Sequence, residues 1–139
     1  METRLLGGAG AAFALLWVPD LSVPVGARDS YLMDVELLSP HRLVRFLARA
    51  VSRSFLEGLA ECWMRCAHEA HPEHTVATVE DIAAGLAFVT VASTPFSVTV
   101  EVVVIPDLEA DVYEQDGISF DVSRTSLIDA AHTLQEQLA

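Results

Sequence analysis

The pattern of this chain predicts an α+β fold, with one mainly antiparallel sheet of about five to six strands and two or three helices packed on one face. Three observations carry that expectation. Two-residue alternation runs through "YLMDVELL" and again through "PFSVTVEVVV", apolar residues recur at helical spacing from Leu43 to Cys66, and a second helical stripe closes the chain after Thr125.

Taken in order, Leu5 to Val18 ("LLGGAGAAFALLWV") is a fourteen-residue apolar run behind Arg4. With "VGA" at Val25 to Ala27 it has the outline of a signal-peptide core and cleavage site. Glu2 offsets Arg4, three glycines interrupt the run, and Trp17, Pro19 and Asp20 follow it. The run is also too short to span a membrane. It is read as one buried first strand, and the expected location is cytoplasmic. The turn-rich Pro19 to Ser30 ends it. In the next strand Tyr31, Met33, Val35 and Leu37 share one face, while Asp34 and Glu36 share the other.

Ser39 and Pro40 then look like a helix cap and first turn. Leu43, Phe46, Leu47, Ala50 and Val51 follow at helical spacing, with Arg42, Arg45, Arg49 and Arg53 on the outer side. Phe55, Leu59, Cys62, Trp63 and Cys66 prolong the stripe, Gly58 marks a kink or break between two helices, and Pro72 stops the helix near Ala70. In the second half "TVATVED" and "LAFVTVAS" flank a hairpin turn at "IAAG". Phe96, Val98, Val100, Val102 and Val104 make the inner face of the next strand, and Ile118, Phe120 and Val122 that of the last. Leu127, Ala130, Ala131, Leu134 and Leu138 line the closing helix, with Ser126 and Asp129 at capping-box spacing. No repeat and no linker is read, so residues 1–139 form a single domain.

The chemistry of the chain gathers in "ECWMRCAHEAHPEH", which holds both cysteines and three of the five histidines. Cys62, Cys66, His71 and His74 are the zinc candidates, four soft or imidazole ligands of the type zinc takes. Helical geometry works against them. The two thiols point about 40° apart on an inward stripe, and the imidazoles fall on the other side unless the chain reverses at Pro72. No zincin spacing, phosphate loop or nucleophile elbow is present, so no catalytic residue and no cofactor is assigned. His132 is read as packing beside the last helix's stripe. The acidic loop "DLEADVYEQD" lacks the ligand spacing and central glycine of a calcium loop.

Composition sets the class of partner. Hydrophobic residues make up 52% and charged residues 20%, a globular balance. The net charge of −12 argues against nucleic acid or an anionic membrane and favours a basic protein partner. Asp34, Glu36, Glu101 and Asp121 are expected to share the wet face of the sheet as an acidic binding face. A mean hydropathy of +0.38 suggests an apolar patch covered in a homodimer. Lysine and asparagine are absent, and eight arginines carry the basic charge, as expected from a high-GC bacterial genome.

The succession of strands, "HRLVRFLARAV", a Gly…Trp-Met segment, further strands and "SFDVSRTSLIDAAHTLQEQL" resembles small single-domain families of unknown function from high-GC actinobacteria. Some of those acidic domains resemble immunity proteins of bacterial toxin systems. The resemblance implies a non-enzymatic, protein-binding or immunity-like role and carries no functional residue with it. The alternative is a metal-dependent or thiol enzyme centred on residues 62–74.

Overall fold

The computed structural model describes residues 2–18, 30–68, 77–110 and 114–139. Eight strands form two four-stranded antiparallel sheets, each in simple sequence order, and two helices accompany them. The first sheet holds β1 (Glu2–Leu6), β2 (Ala12–Trp17), β3 (Ser30–Ser39) and β4 (Arg42–Ser52), and α1 (Arg53–His68) follows. The second holds β5 (Ala77–Asp81), β6 (Leu86–Ser93), β7 (Ser97–Val104) and β8 (Asp116–Ser123), and α2 (Arg124–Leu138) follows. The α+β class, the antiparallel pairing and two helices agree with the sequence reading. Two sheets of four strands replace the one sheet of about five to six.

Local physics explains the differences. The run Leu5 to Val18 is two strands joined by a turn, because Gly7, Gly8 and Gly10 interrupt it and Gly10 takes a positive φ of 77°. Gly7 N–H bonds Ala11 C=O at 2.8 Å and closes the loop.

Arg42–Ser52 is a strand and not the start of a helix. Ser39 pairs with Arg42 across a two-residue turn at Pro40 and His41, so Ser-Pro opens a hairpin and caps nothing. Further along, Leu47 and Ala48 together oppose Asp34 in a β-bulge. Ala48 sits at φ 51°, and its N–H is taken by Asp34 Oδ1 at 2.8 Å. The extra residue resets the alternation, so Phe46, Arg49 and Val51 all point inward. Leu43 and Leu47 are 57% and 67% exposed, so the helical-looking stripe takes in apolar residues from both sides of the strand.

The helix itself starts at Arg53, capped by Ser52, whose Oγ accepts Phe55 N–H at 3.2 Å. It runs on through Gly58 without a break, and a side chain there would approach Val79 to 3.4 Å. Phe96 is 85% exposed, outside the buried row Val98, Val100, Val102 and Val104. The cap of α2 is Ser123, which accepts Ser126 N–H, where Ser126 and Asp129 had been expected.

Four strands and a helix thus occur twice, which corrects the reading that the chain has no repeat. With the structure as guide, short echoes emerge: "GAAF" at Gly10–Phe13 against "GLAF" at Gly85–Phe88, and "VSRSFL" at Val51–Leu56 against "VSRTSL" at Val122–Leu127. Both glycines have positive φ and both serines cap. The helices bury matching positions: Leu56 and Leu127, Ala60 and Ala131, Trp63 and Leu134, Ala67 and Leu138. They run antiparallel and anchor each other's ends. Arg53, at the start of α1, donates to Leu138 C=O, and Arg124, at the start of α2, donates to Cys66 C=O at 2.6 Å. Each guanidinium satisfies a carbonyl that a helix end leaves without an intrahelical partner, at the negative pole of its dipole.

α1 also packs on β4 and β5, and α2 on β8 and β1, so each helix bridges the two units. The buried residues of both sheets and both helices form one cluster. At its centre Trp63 meets the matched rings of Phe13 and Phe88 edge-on, with centroids 6.5 and 5.8 Å away. No helix among the described residues is long and apolar enough to cross a membrane.

Candidate functional site

The residues expected to form one acidic face stand on two different sheets. Asp34 and Glu36 belong to β3, whereas Glu101 belongs to β7 and Asp121 to β8. Glu36 is buried at 5% exposure in a cross-strand row, Arg4–Ala14–Glu36–Arg45, on the outer side of the first sheet. Its Oε1 accepts Arg4 Nη1 at 3.2 Å and its Oε2 accepts Arg45 Nη2 at 2.7 Å. The bond from Arg45 lowers the Glu36 pKa below its ordinary value against the opposing effect of burial, and Glu36 raises that of Arg45. Asp34 is occupied by the bulge. Both carboxylates are thus engaged within the first sheet, Glu36 by two arginines and Asp34 by the backbone of the bulge.

The outer side of the second sheet differs in kind. Its rows are Thr78–Val89–Glu101–Ser119 and Glu80–Ala87–Val103–Gly117, and Asp121 stands opposite Thr99 and accepts a hydrogen bond from its hydroxyl. From Thr75 to Ser123 the sequence has nine acidic residues and no lysine, arginine or histidine. Seven of the eight arginines lie before residue 66. The ion pairs of the first unit, Arg4 with Glu2 and Glu36, Arg45 with Glu36 and Arg53 with Glu57, therefore have no counterpart on the strands of the second. Arg42 reaches across from β4 to Asp116 at the start of β8. Glu80 and Glu101 are exposed on strands without a cation. Sequence reasoning grouped Asp34 with Glu101 because alternation gives the face of each strand but not which strands share a sheet. The signal it passed over was the absence of basic residues between His74 and Arg124.

The Cys/His segment is only partly described. Cys62 and Cys66 lie on α1 with their Sγ atoms 3.9 Å apart, Cys62 fully buried and Cys66 half-buried. The hydrogen bond with Cys66, then burial, raise the Cys62 pKa far above the usual thiol range, so its sulfur stays protonated and is a poor nucleophile. His68 is exposed at the end of α1, and His71 and His74 lie outside the described residues. His132 is exposed, not packed. Among the described residues no three His, Cys, Asp or Glu side chains converge as a metal site. In the acidic loop Asp107 turns back to Glu109 N–H at 3.0 Å, and Asp116 is held by Arg42 and Gly117 N–H.

Comparison of the chain with protein-family models, with curated proteins and with solved structures gives no match.

Proposed function

We propose that this chain is a non-enzymatic protein-binding domain, immunity-like in manner, that holds a basic partner on its second unit. One observation carries the reading: two units of the same fold differ in charge, and the outer side of the second sheet presents Glu80, Glu101 and Asp121 with no basic residue on its strands. A protein gains solubility from acids placed anywhere. Clearing the strands of one unit of cations while knitting the other with arginine concentrates the negative potential on one side, which favours capture of a cationic surface.

The test compares two triple variants of equal net charge. Glu80→Gln/Glu101→Gln/Asp121→Asn removes the proposed surface, and Glu2→Gln/Glu61→Gln/Glu136→Gln removes three exposed carboxylates elsewhere. With fluorescently labelled polyarginine at low salt, the first should weaken binding about tenfold or more and the second little. Equal losses would reduce the effect to net charge and defeat the reading.

A second reading, a metal-dependent or thiol centre at residues 62–74, has one observation in its favour. The 3.9 Å between Cys62 and Cys66 sulfurs is close to the ~3.8 Å edge of a tetrahedral thiolate site with Zn–S bonds of about 2.3 Å. Elemental analysis of protein purified without a histidine tag decides the metal half of it, since stoichiometric zinc would establish a metal centre and its absence would dismiss one.

A further inference from the structure

A groove of about 700 Å³ runs along β8. One wall is the strand itself, Gly117–Asp121, and the other is formed by Ser39, Pro40, Arg42 and the Gly8–Ala9 turn. β8 is the last strand of its sheet and pairs with β7 on one side. In an antiparallel pair, successive residues direct their N–H and C=O groups alternately toward the neighbour and away from it. Two contacts fix which residues of β8 point away. Gly117 N–H bonds the Asp116 carboxylate at 2.8 Å in place of a ladder partner. A side chain at Gly7 would come within 3.0 Å of the Asp121 carbonyl oxygen, so that oxygen faces the first unit. Ser119, midway between them, therefore presents its N–H and C=O to the groove.

We propose that this open edge takes an extended cationic segment of the partner by strand addition, which rests on the binding role proposed above. Side-chain chemistry specifies the segment. Ile118 and Phe120 line the inner side of the groove, so the facing positions of an added strand would be apolar. Ser119 and Asp121 project on the outer side with Glu101, so the alternate positions would be arginine or lysine, attracted as cross-strand partners. At one end of the groove Arg42 is bound across to Asp116. Gly117 N–H is held by Asp116 and the Asp121 carbonyl faces the Gly7 turn, so the free stretch centres on Ser119 and suits a short added segment. A second copy of this chain is a poor occupant, because a second β8 would bring no arginine or lysine to the alternate positions and would add another acidic unit beside this one.

The probes are two labelled ten-residue peptides of identical composition, one alternating valine and arginine and one with five valines followed by five arginines. Strand addition needs the alternation, whereas general attraction to an acidic surface does not. The alternating peptide should bind the full chain about tenfold or more tighter than the block peptide. Ser119→Pro, which removes an outward N–H at an edge position where proline is tolerated, should erase that difference and leave the block peptide's binding unchanged. Amide exchange at Ser119 should slow on binding of the alternating peptide to the unmutated protein, a readout that does not depend on the variant's folding. Equal binding of the two peptides overturns strand addition and leaves the acidic surface standing. Binding of neither at low salt overturns both. A dimer that Ser119→Pro converts to monomer would assign the edge to a second copy and overturn the cationic segment.

Discussion

Glu36 shows how a residue that reads as surface charge can be structural. Alternation places it on the outer side of β3, yet Arg4 and Arg45 close over it and leave it 5% exposed. Its lowered pKa means the folded state holds the ionised form more firmly than the unfolded chain does. The stability this contributes is complete above the ordinary carboxylate pKa and is lost as pH falls through the lowered folded value. Glu36→Gln should cost about 1 kcal/mol at pH 7, the solvent exposure of both guanidiniums keeping the cost modest. Denaturant melts from pH 7 to pH 3 should show variant and parent converging on the acid side, and a constant gap would refute the ionic origin. Arg49 is the converse case. Counted on the outer side of a helix by its spacing, it is buried at 9% and donates to Ala84 C=O at 2.9 Å and Pro106 C=O at 2.7 Å, its pKa lowered by burial. Nothing in its own neighbourhood of sequence marks it as inward, because the acceptors come from the second unit.

At the scale of elements, strands with regular alternation and the closing helix were legible, since period and burial agree there. The misreading fell on β4, where apolar Leu43 and Leu47 on the exposed side and Phe46 and Val51 on the buried side together mimic helical spacing, and a bulge breaks the two-residue period between them. Ser-Pro at the β3–β4 hairpin compounded it, because the same dipeptide opens turns and helices. The true caps, Ser52 and Ser123, follow buried valines at equivalent places of the two units. Replacing either with alanine should cost about 1 kcal/mol. The caps belong to different helices and share no partner, so the double variant should cost the sum within a few tenths of a kcal/mol. A urea titration measures this, and a double variant no worse than one single would show that the two helix starts are not independently anchored.

For the whole molecule, the decisive property is the uneven charge of two like units. Repulsion among the carboxylates of the second sheet and its loops opposes folding and is screened by salt. Raising sodium chloride from about 20 mM to about 500 mM at pH 7 should raise Tm by roughly 2–5 °C, an effect that fades near pH 4 as carboxylates protonate. A fall in Tm with salt at pH 7 would mean that the arginine pairs of the first unit outweigh that repulsion. The duplication itself escaped the sequence because the echoes are short, "VSRSFL" and "VSRTSL" chief among them, and the two units differ in charge and in loop length.

The sequence by itself determined the α+β class, the acidic character, the antiparallel strands of the second half and the inward stripe of Cys62 and Trp63. Those follow from period, composition and caps, which act within a few residues. Tertiary structure alone decided that the strands divide into two sheets, that Arg49 and Glu36 are buried, and that each helix is tied at its end by an arginine from the other. It also decided which carboxylates are left facing solvent. Every one of these depends on groups far apart in the chain: neutralising a carboxylate or satisfying a buried guanidinium requires a partner, and only the fold chooses it.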